Sequence, residues 1–183
     1  MRIIAGRWKG RKLLAPEGTV TRPTNERARQ ALFDMLWHAP WAGRDRVEGA
    51  EVLDAFAGTG ALGIEALSRG AARAHFLENR PEALAACRAN LRACKGAEGR
   101  VLPADALRPP RAPAPCTLVF LDPPYGEGLV PRAIEALGAA GWIAPDALIC
   151  AELGPGDPAP EEGFETLAER AHGKARWNIL SPR

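Results

Sequence analysis

The segment Asp54-Ala-Phe-Ala-Gly58-Thr-Gly60-Ala-Leu-Gly63 decides how the chain is read. Apolar Val52-Leu53 leads into it, and Leu62, Ala66 and Leu67 follow at helical spacing as far as Gly70, so it reads as a strand, a glycine turn and a helix. The G-x-G-x-x-G pattern lets the backbone turn tightly and approach a nucleoside ligand closely. By itself it does not separate a dinucleotide from another nucleoside cofactor, and a turn with no ligand is the bland alternative. Asp54 bears on the choice: a carboxylate four residues before Gly58 would repel a pyrophosphate and attract a cation.

Strand and helix signals alternate outward from this turn. Ala74–Leu77 reads as a second strand, and a helix from near Pro81 sets Leu84, Cys87, Leu91 and Cys94 on one stripe. Arg100–Leu102 is a short third strand, and the five prolines between Pro103 and Pro115 make a loop. Cys116–Leu121 is continuously apolar, as a strand buried on both faces should be. A helix over about 128–140, a strand at Ala147–Ala151, a loop at 154–160 and a last strand at Lys174–Leu180 complete the series. This alternation predicts an α/β fold: a mostly parallel, Rossmann-like sheet with helices on both faces, whose ligands sit beyond the carboxyl ends of the strands. Before it, residues 1–22 read as a small hairpin or extended arm. Thr24 is a candidate N-cap for a helix through Ala28, Ala31, Leu32, Met35 and Leu36, ended by Pro40 and Gly43.

Length and composition limit the classes open to the chain. Its 183 residues suffice for one domain with a small arm, and 46% hydrophobic with 25% charged residues excludes a disordered chain. No apolar run approaches the ~18 residues of a membrane span, and the first residues hold no apolar signal core, so a cytoplasmic location is expected. Cys87, Cys94, Cys116 and Cys150 form no C-x-x-C pair, and His38, His75 and His172 are far apart, so no metal site is expected. The cysteines read as free thiols and the histidines as structural. Charge is uneven: residues 1–29 hold eight cations (Arg2, Arg7, Lys9, Arg11, Lys12, Arg22, Arg27 and Arg29) against Glu17 and Glu26, net +6, which leaves the body at −4. A basic arm on an acidic body suits a polyanion, and Trp8 among the cations could stack on a base. A solvated basic tail is the plain alternative.

Three further segments carry chemistry. Glu78 lies at the end of the second strand, twenty residues past Gly58, where an acid accepts hydrogen bonds from ribose hydroxyls. Asn79 beside it reads either as a cofactor contact or as an N-cap paired with Glu82. Asp105-Ala106, after the third strand, could meet an adenine amino group or simply face solvent. Asp122-Pro-Pro-Tyr125 follows the most apolar strand. Its prolines remove two donors and stiffen the turn, leaving the Asp122 carboxylate and the Pro123 carbonyl as fixed acceptors beside an aromatic ring. That set suits a planar base bearing an amino group; the alternative is a proline-rich loop with a packing tyrosine.

With these segments in place the sequence resembles the Class I S-adenosylmethionine-dependent methyltransferases, and Asp122-Pro-Pro-Tyr125 matches the signature of those acting on exocyclic nitrogen. Arg2-Ile-Ile-Ala-Gly6, Lys9-Gly-Arg11, Arg22-Pro-Thr24, Arg27, Arg29, Leu32-Phe33, Gly141-Trp142 and Ala147-Leu-Ile149 narrow the likeness to the bacterial 16S rRNA guanine-N2 methyltransferase D family. His172-Gly173 stands where that family often has Tyr-Gly. The resemblance implies an RNA-gripping arm and helix at 1–40, a methyltransferase domain at 41–183 with an antiparallel last strand, and a monomer. It implies methyl transfer from S-adenosylmethionine to one guanine N2 in 16S ribosomal RNA or a small-subunit particle, in a head loop facing the P-site. Asp122, Pro123 and Tyr125 would be catalytic. Asp54, Phe56, Gly58, Gly60, Glu78, Asn79, Asp105, Ala106 and Thr24 would hold the cofactor, and the eight arm cations with Trp8 would hold RNA. The competing readings are a nicotinamide dehydrogenase, an amino-methyltransferase of DNA or of a protein glutamine, and a non-catalytic RNA-binding module.

Overall fold

A computed structural model describes residues 1–16, 26–160 and 162–183. Among the described residues four α-helices flank a sheet: α1 (Glu26–His38), α2 (Ala61–Ser68), α3 (Pro81–Ala93) and α4 (Leu129–Ala139). The strands are β1 (Glu51–Asp54), β2 (Arg73–Glu78), β3 (Gly99–Pro103), β4 (Cys116–Leu121), β5 (Ile143–Leu153), β6 (Phe164–His172) and β7 (Ala175–Pro182). They form one seven-stranded sheet in the order β3-β2-β1-β4-β5-β7-β6. The first five strands pair in parallel, and β7 is antiparallel to both β5 and β6.

Alternation along the strands builds two cores. Val52, Phe76, Leu118, Phe120 and Cys150 point to one face, with Leu32 and Phe33 of α1, Leu62 and Ile64 of α2 and Cys87 of α3. Their neighbours Leu53, Leu77, Val119, Leu121 and Ile149 point to the other face, against Val130, Ala133, Ile134 and Leu137 of α4. The proline-rich loop takes the place of a helix on this second face, and the Trp142 indole N–H donates to the Pro110 carbonyl at 2.8 Å. All four cysteines are free and buried.

The first residues are docked on the sheet domain. Ile3 and Leu13 are in the same core as α1 and β1. The Ile4 and Ala5 amides donate to the buried Glu65 carboxylate at 2.8 and 3.0 Å, and the Arg7 amide donates to the Ser68 carbonyl at 2.7 Å. Gly6 permits this approach, since a Cβ there would lie 1.8 Å from the Ser68 carbonyl oxygen and its φ is +80°.

Two expectations change. Strand β6 was not anticipated, because Glu165, Thr166, Ala168 and Glu169 lack the apolar alternation of a half-buried strand. It is an edge strand, mostly exposed, with an irregularity between Thr166 and Ala168. The N-cap of α3 is Arg80 with Pro81 following, so Asn79 does not cap the helix.

Candidate active site

The chemistry-bearing residues converge at the carboxyl ends of β1, β2 and β4, which lie side by side. Asp54 closes β1 and is fully buried. Its Oδ2 accepts the Gly63 amide at 3.0 Å, tying the strand end to the start of α2. Its Oδ1 is buried and has no hydrogen-bond partner among the described residues. Burial pushes its pKa up to about 7; the Gly63 amide opposes this, and the charges of Asp122 and Glu78 reinforce it. An orphaned carboxylate oxygen under two further acids fits a ligand that brings positive charge.

Glu78, at the end of β2, holds the glycine turn. Its Oε2 accepts the Gly58 amide at 2.8 Å, while Oε1 accepts the Asn79 and Arg80 amides at 3.0 and 2.9 Å. The turn is also shaped by contact: a Cβ on Gly63 would lie 2.4 Å from the Phe76 ring, and one on Gly60 would lie 2.8 Å from the Cys87 sulfur. Asn90, buried in α3, ties the turn to the arm. Its Nδ2 donates to the carbonyls of Thr59 and Leu14 at 2.9 and 3.0 Å, and its Oδ1 accepts the Leu14 amide at 2.7 Å. Phe56 is half-buried beside the second core. Asp105 accepts the Leu107 amide at 2.9 Å on a partly exposed turn, and Ala106 behind it is buried. Asn79 has an exposed side chain.

Asp122-Pro-Pro-Tyr125 leaves β4 next to the end of β5, where Leu121 pairs with Ala151. Pro123 is buried, and Asp122 and Tyr125 are half-buried. Two features that sequence reading missed hold this corner. A Cβ on Gly154 would lie 2.5 Å from the Tyr125 ring, so only glycine lets the ring settle on that backbone. Asp157 bridges the two loops, accepting the Gly126 amide at 2.9 Å and the Gly154 amide at 3.0 Å. The loop was legible in its glycines and prolines, but this long-range bridge leaves no local signal. Beyond it, His172 Nε2 lies 2.8 Å from Oε1 of buried Glu152, near the end of β5. Burial lowers the His172 pKa against the charge of Asp122.

The arm cations divide. Arg2, Arg7, Lys9, Arg11, Lys12 and Arg27 are exposed, and half-buried Trp8 packs on the core with the Arg7 guanidinium 5.2 Å from its ring centroid. Arg29 overturns its expected role. It is fully buried, 3.6 Å from Glu65, and donates to the Arg2 carbonyl, so its charge is used inside the fold and cannot meet RNA. Arg22 and Thr24, with the N-cap reading of Thr24, lie outside the described residues.

A glycine turn and a proline corner at one edge of a sheet in this strand order place the chain among the Rossmann-like methyltransferases. Solved structures agree. The Escherichia coli protein yhhF, named as a candidate methyltransferase, superposes with a TM-score of 0.84 at 34% identity, covering 100% of this chain and 98% of that one. TrmN from Thermus thermophilus shares the fold with a TM-score of 0.68 at 24% identity, over 85% of this chain and 48% of its own. The family model described as Conserved hypothetical protein 95 matches residues 1–181. Ribosomal RNA small subunit methyltransferase D of Escherichia coli K12 is 36% identical over 182 residues, 98% of this chain and 88% of that protein. The protein of that name from Haemophilus influenzae is 36% identical over 185 residues, 98% and 92% of the two chains. The chain belongs to the ribosomal RNA small subunit methyltransferase D family. Among the described residues no cluster of side chains could hold a metal ion, and no helix is long and apolar enough to cross a membrane.

Proposed function

We propose that this chain transfers a methyl group from S-adenosylmethionine to the exocyclic N2 of a guanine in 16S ribosomal RNA, in a head loop facing the P-site, acting as a cytoplasmic monomer. One observation carries the reading: the stiff Asp122-Pro-Pro-Tyr125 corner leaves its strand beside Asp54, whose buried Oδ1 lacks a partner among the described residues. Asp54, Phe56, Gly58, Gly60, Glu78, Asn79, Asp105 and Ala106, with Thr24, would hold the cofactor. When bound, it supplies a methyl group already activated on a sulfonium centre.

The residues of the chain then have an alignment task. The Asp122 carboxylate and the Pro123 carbonyl accept hydrogen bonds from the guanine amino group, which localises its lone pair and stabilises the positive charge growing on nitrogen. Tyr125 stacks on the base, which leaves its own stack to enter the site. Asp122 or water takes the proton after transfer, so no strong base is needed beforehand. Arg2, Arg7, Trp8, Lys9, Arg11, Lys12, Arg22 and Arg27 would hold the RNA backbone, which gives affinity more than sequence choice. The names of the relatives support ribosomal RNA as the target.

The test is transfer of labelled methyl from the cofactor to undermodified small-subunit particles, followed by nucleoside mapping. Label in N2-methylguanosine of 16S RNA is expected. Label found only in DNA or in protein would overturn the substrate.

A further inference from the structure

Beyond Asp122 the carboxyl edge of the sheet continues. Strand β7 is antiparallel to both β5 and β6, so β6 runs in the direction of β1, β4 and β5 and ends, at His172, on the edge where they end. In sheet order Asp54, Asp122, Glu152 and His172 therefore stand along one edge. Glu152 follows Ala151 just as Asp122 follows Leu121, the residue paired with Ala151. Neighbouring strands lie about 4.8 Å apart, so acids at these two positions can reach the same ligand edge. Alternation gives Glu152 the sheet face of Cys150 and of its cross-strand partner Trp177, which is also the face of Val52 and Asp54. The charge of Asp122 bears on Asp54 to one side and on His172 to the other.

Glu152 is set in place by its surroundings. It is 4% exposed, and its one ion-pair partner among the described residues is His172, whose Nε2 lies 2.8 Å from Oε1. The His172 ring is 6.1 Å from that of fully buried Trp177. His172 meets one oxygen of the carboxylate, and a ligand can take the other. Gly154, whose backbone receives the Tyr125 ring, is two residues beyond Glu152, so a base stacked on that ring would lie beside this carboxylate.

The chemistry of the base then decides what Glu152 is for. The amino edge of guanine carries three N–H hydrogens, two on N2 and one on N1. Asp122 and the Pro123 carbonyl provide acceptors for the first two, and a buried N1–H without an acceptor would be costly. Adenine and cytosine make no such demand. The ring nitrogen beside their amino group is itself an acceptor, and a carboxylate facing it repels. A third fixed acceptor is what separates guanine from the other bases that bear an amino group. Resting on the function proposed above, we infer that Glu152, held by His172, accepts the N1–H of the target guanine and so sets the choice of base. Glu152 touches the base, and His172 is a positioning residue.

The experiment compares wild type, Glu152→Gln and His172→Ala on reconstituted small-subunit particles. Their 16S RNA carries, at the position found by nucleoside mapping, either guanine or 2-aminopurine, which keeps the amino group but has no hydrogen on N1. Methyl transfer is read as kcat/KM on each particle, with affinity for S-adenosylhomocysteine by calorimetry as the check on folding. Wild type should prefer guanine. Glu152→Gln, whose amide can donate to a bare N1, should lower that preference by about thirtyfold, mostly by loss on guanine. His172→Ala keeps the carboxylate and should lower it by about fivefold. A residue needed only for structure would lower transfer to both bases alike. If Glu152→Gln does not bind S-adenosylhomocysteine, the His172→Ala result decides alone. Equal losses on the two bases, or an unchanged preference in either variant, would overturn the inference and leave the function standing. So would a wild type that methylates guanine without preferring it. Wild-type protein that methylates neither particle would overturn both.

Discussion

Asp122 and Asp54 are both acids at strand ends, yet their surroundings set them different tasks. Asp122 is half-buried on a proline-stiffened corner, and Asp122→Ala should lower turnover by roughly 10²–10³-fold, the loss typical of one transition-state contact, with cofactor affinity nearly unchanged. Substantial turnover in single-turnover assays would remove Asp122 from the mechanism. Asp54 is buried with a pKa raised to about 7, against about 3.9 in an unfolded chain. Between those values the native state holds more protons than the unfolded one, so stability falls as pH rises from about 4 to about 7. Urea melts without cofactor should show this slope, and Asp54→Asn should flatten it while weakening cofactor binding above pH 7. Arg29 is a third case. Its spacing among the arm cations suggested an RNA contact, but it is enclosed with Glu65 and Arg69. Arg29→Ala should lower stability in chemical denaturation by about 1–3 kcal/mol, because it leaves the Arg2 carbonyl without its donor and removes one of the two cations facing the buried Glu65 carboxylate. Loss of RNA affinity with no loss of stability would contradict this placement.

At the scale of elements, the corner after β4 depends on the loop after β5. Asp157 accepts amides from both loops, and Gly154 leaves room for the Tyr125 ring. Asp157→Ala should free both amides and loosen the ring. The expected outcome is a kcat lowered by about tenfold with near-normal cofactor affinity, read by steady-state kinetics and calorimetry. Legibility in the sequence divides along the same line. The βα units could be read because each pairs an apolar strand with a glycine or proline turn, as at Val52–Gly63 and Cys116–Tyr125. Asp54, Glu78 and Asp122 could be located because chemistry in such sheets lies at strand ends. Strand β6 could not, since an exposed edge imposes no apolar period on Glu165 to Ala171. Nor could Asn90, Glu65 or Asp157, whose partners lie 31 or more residues away for their longest contacts.

Taken whole, the molecule ties the basic arm and the glycine turn into one hydrogen-bonded framework. Glu65 and Ser68 of α2 fix the arm, and Asn90 of α3 joins Leu14 to Thr59, so the two core helices link the arm to the glycine turn. This same enclosure surrounds the thiols. Cys87 lies under the glycine turn and Cys94 ends α3, while Cys116 and Cys150 sit in the central strands. Burial pushes all four pKa values up, that of Cys116 to about 12. A thiol so placed is protonated and shielded, and alkylation must wait for local opening. The cysteines therefore act as four clocks distributed through the chain. Timed iodoacetamide labelling with peptide mass analysis should find Cys94, near the surface turn, modified first and Cys150 last, and saturating cofactor should delay Cys87 more than Cys116. Simultaneous modification of all four would mean that the protein opens as a single unit.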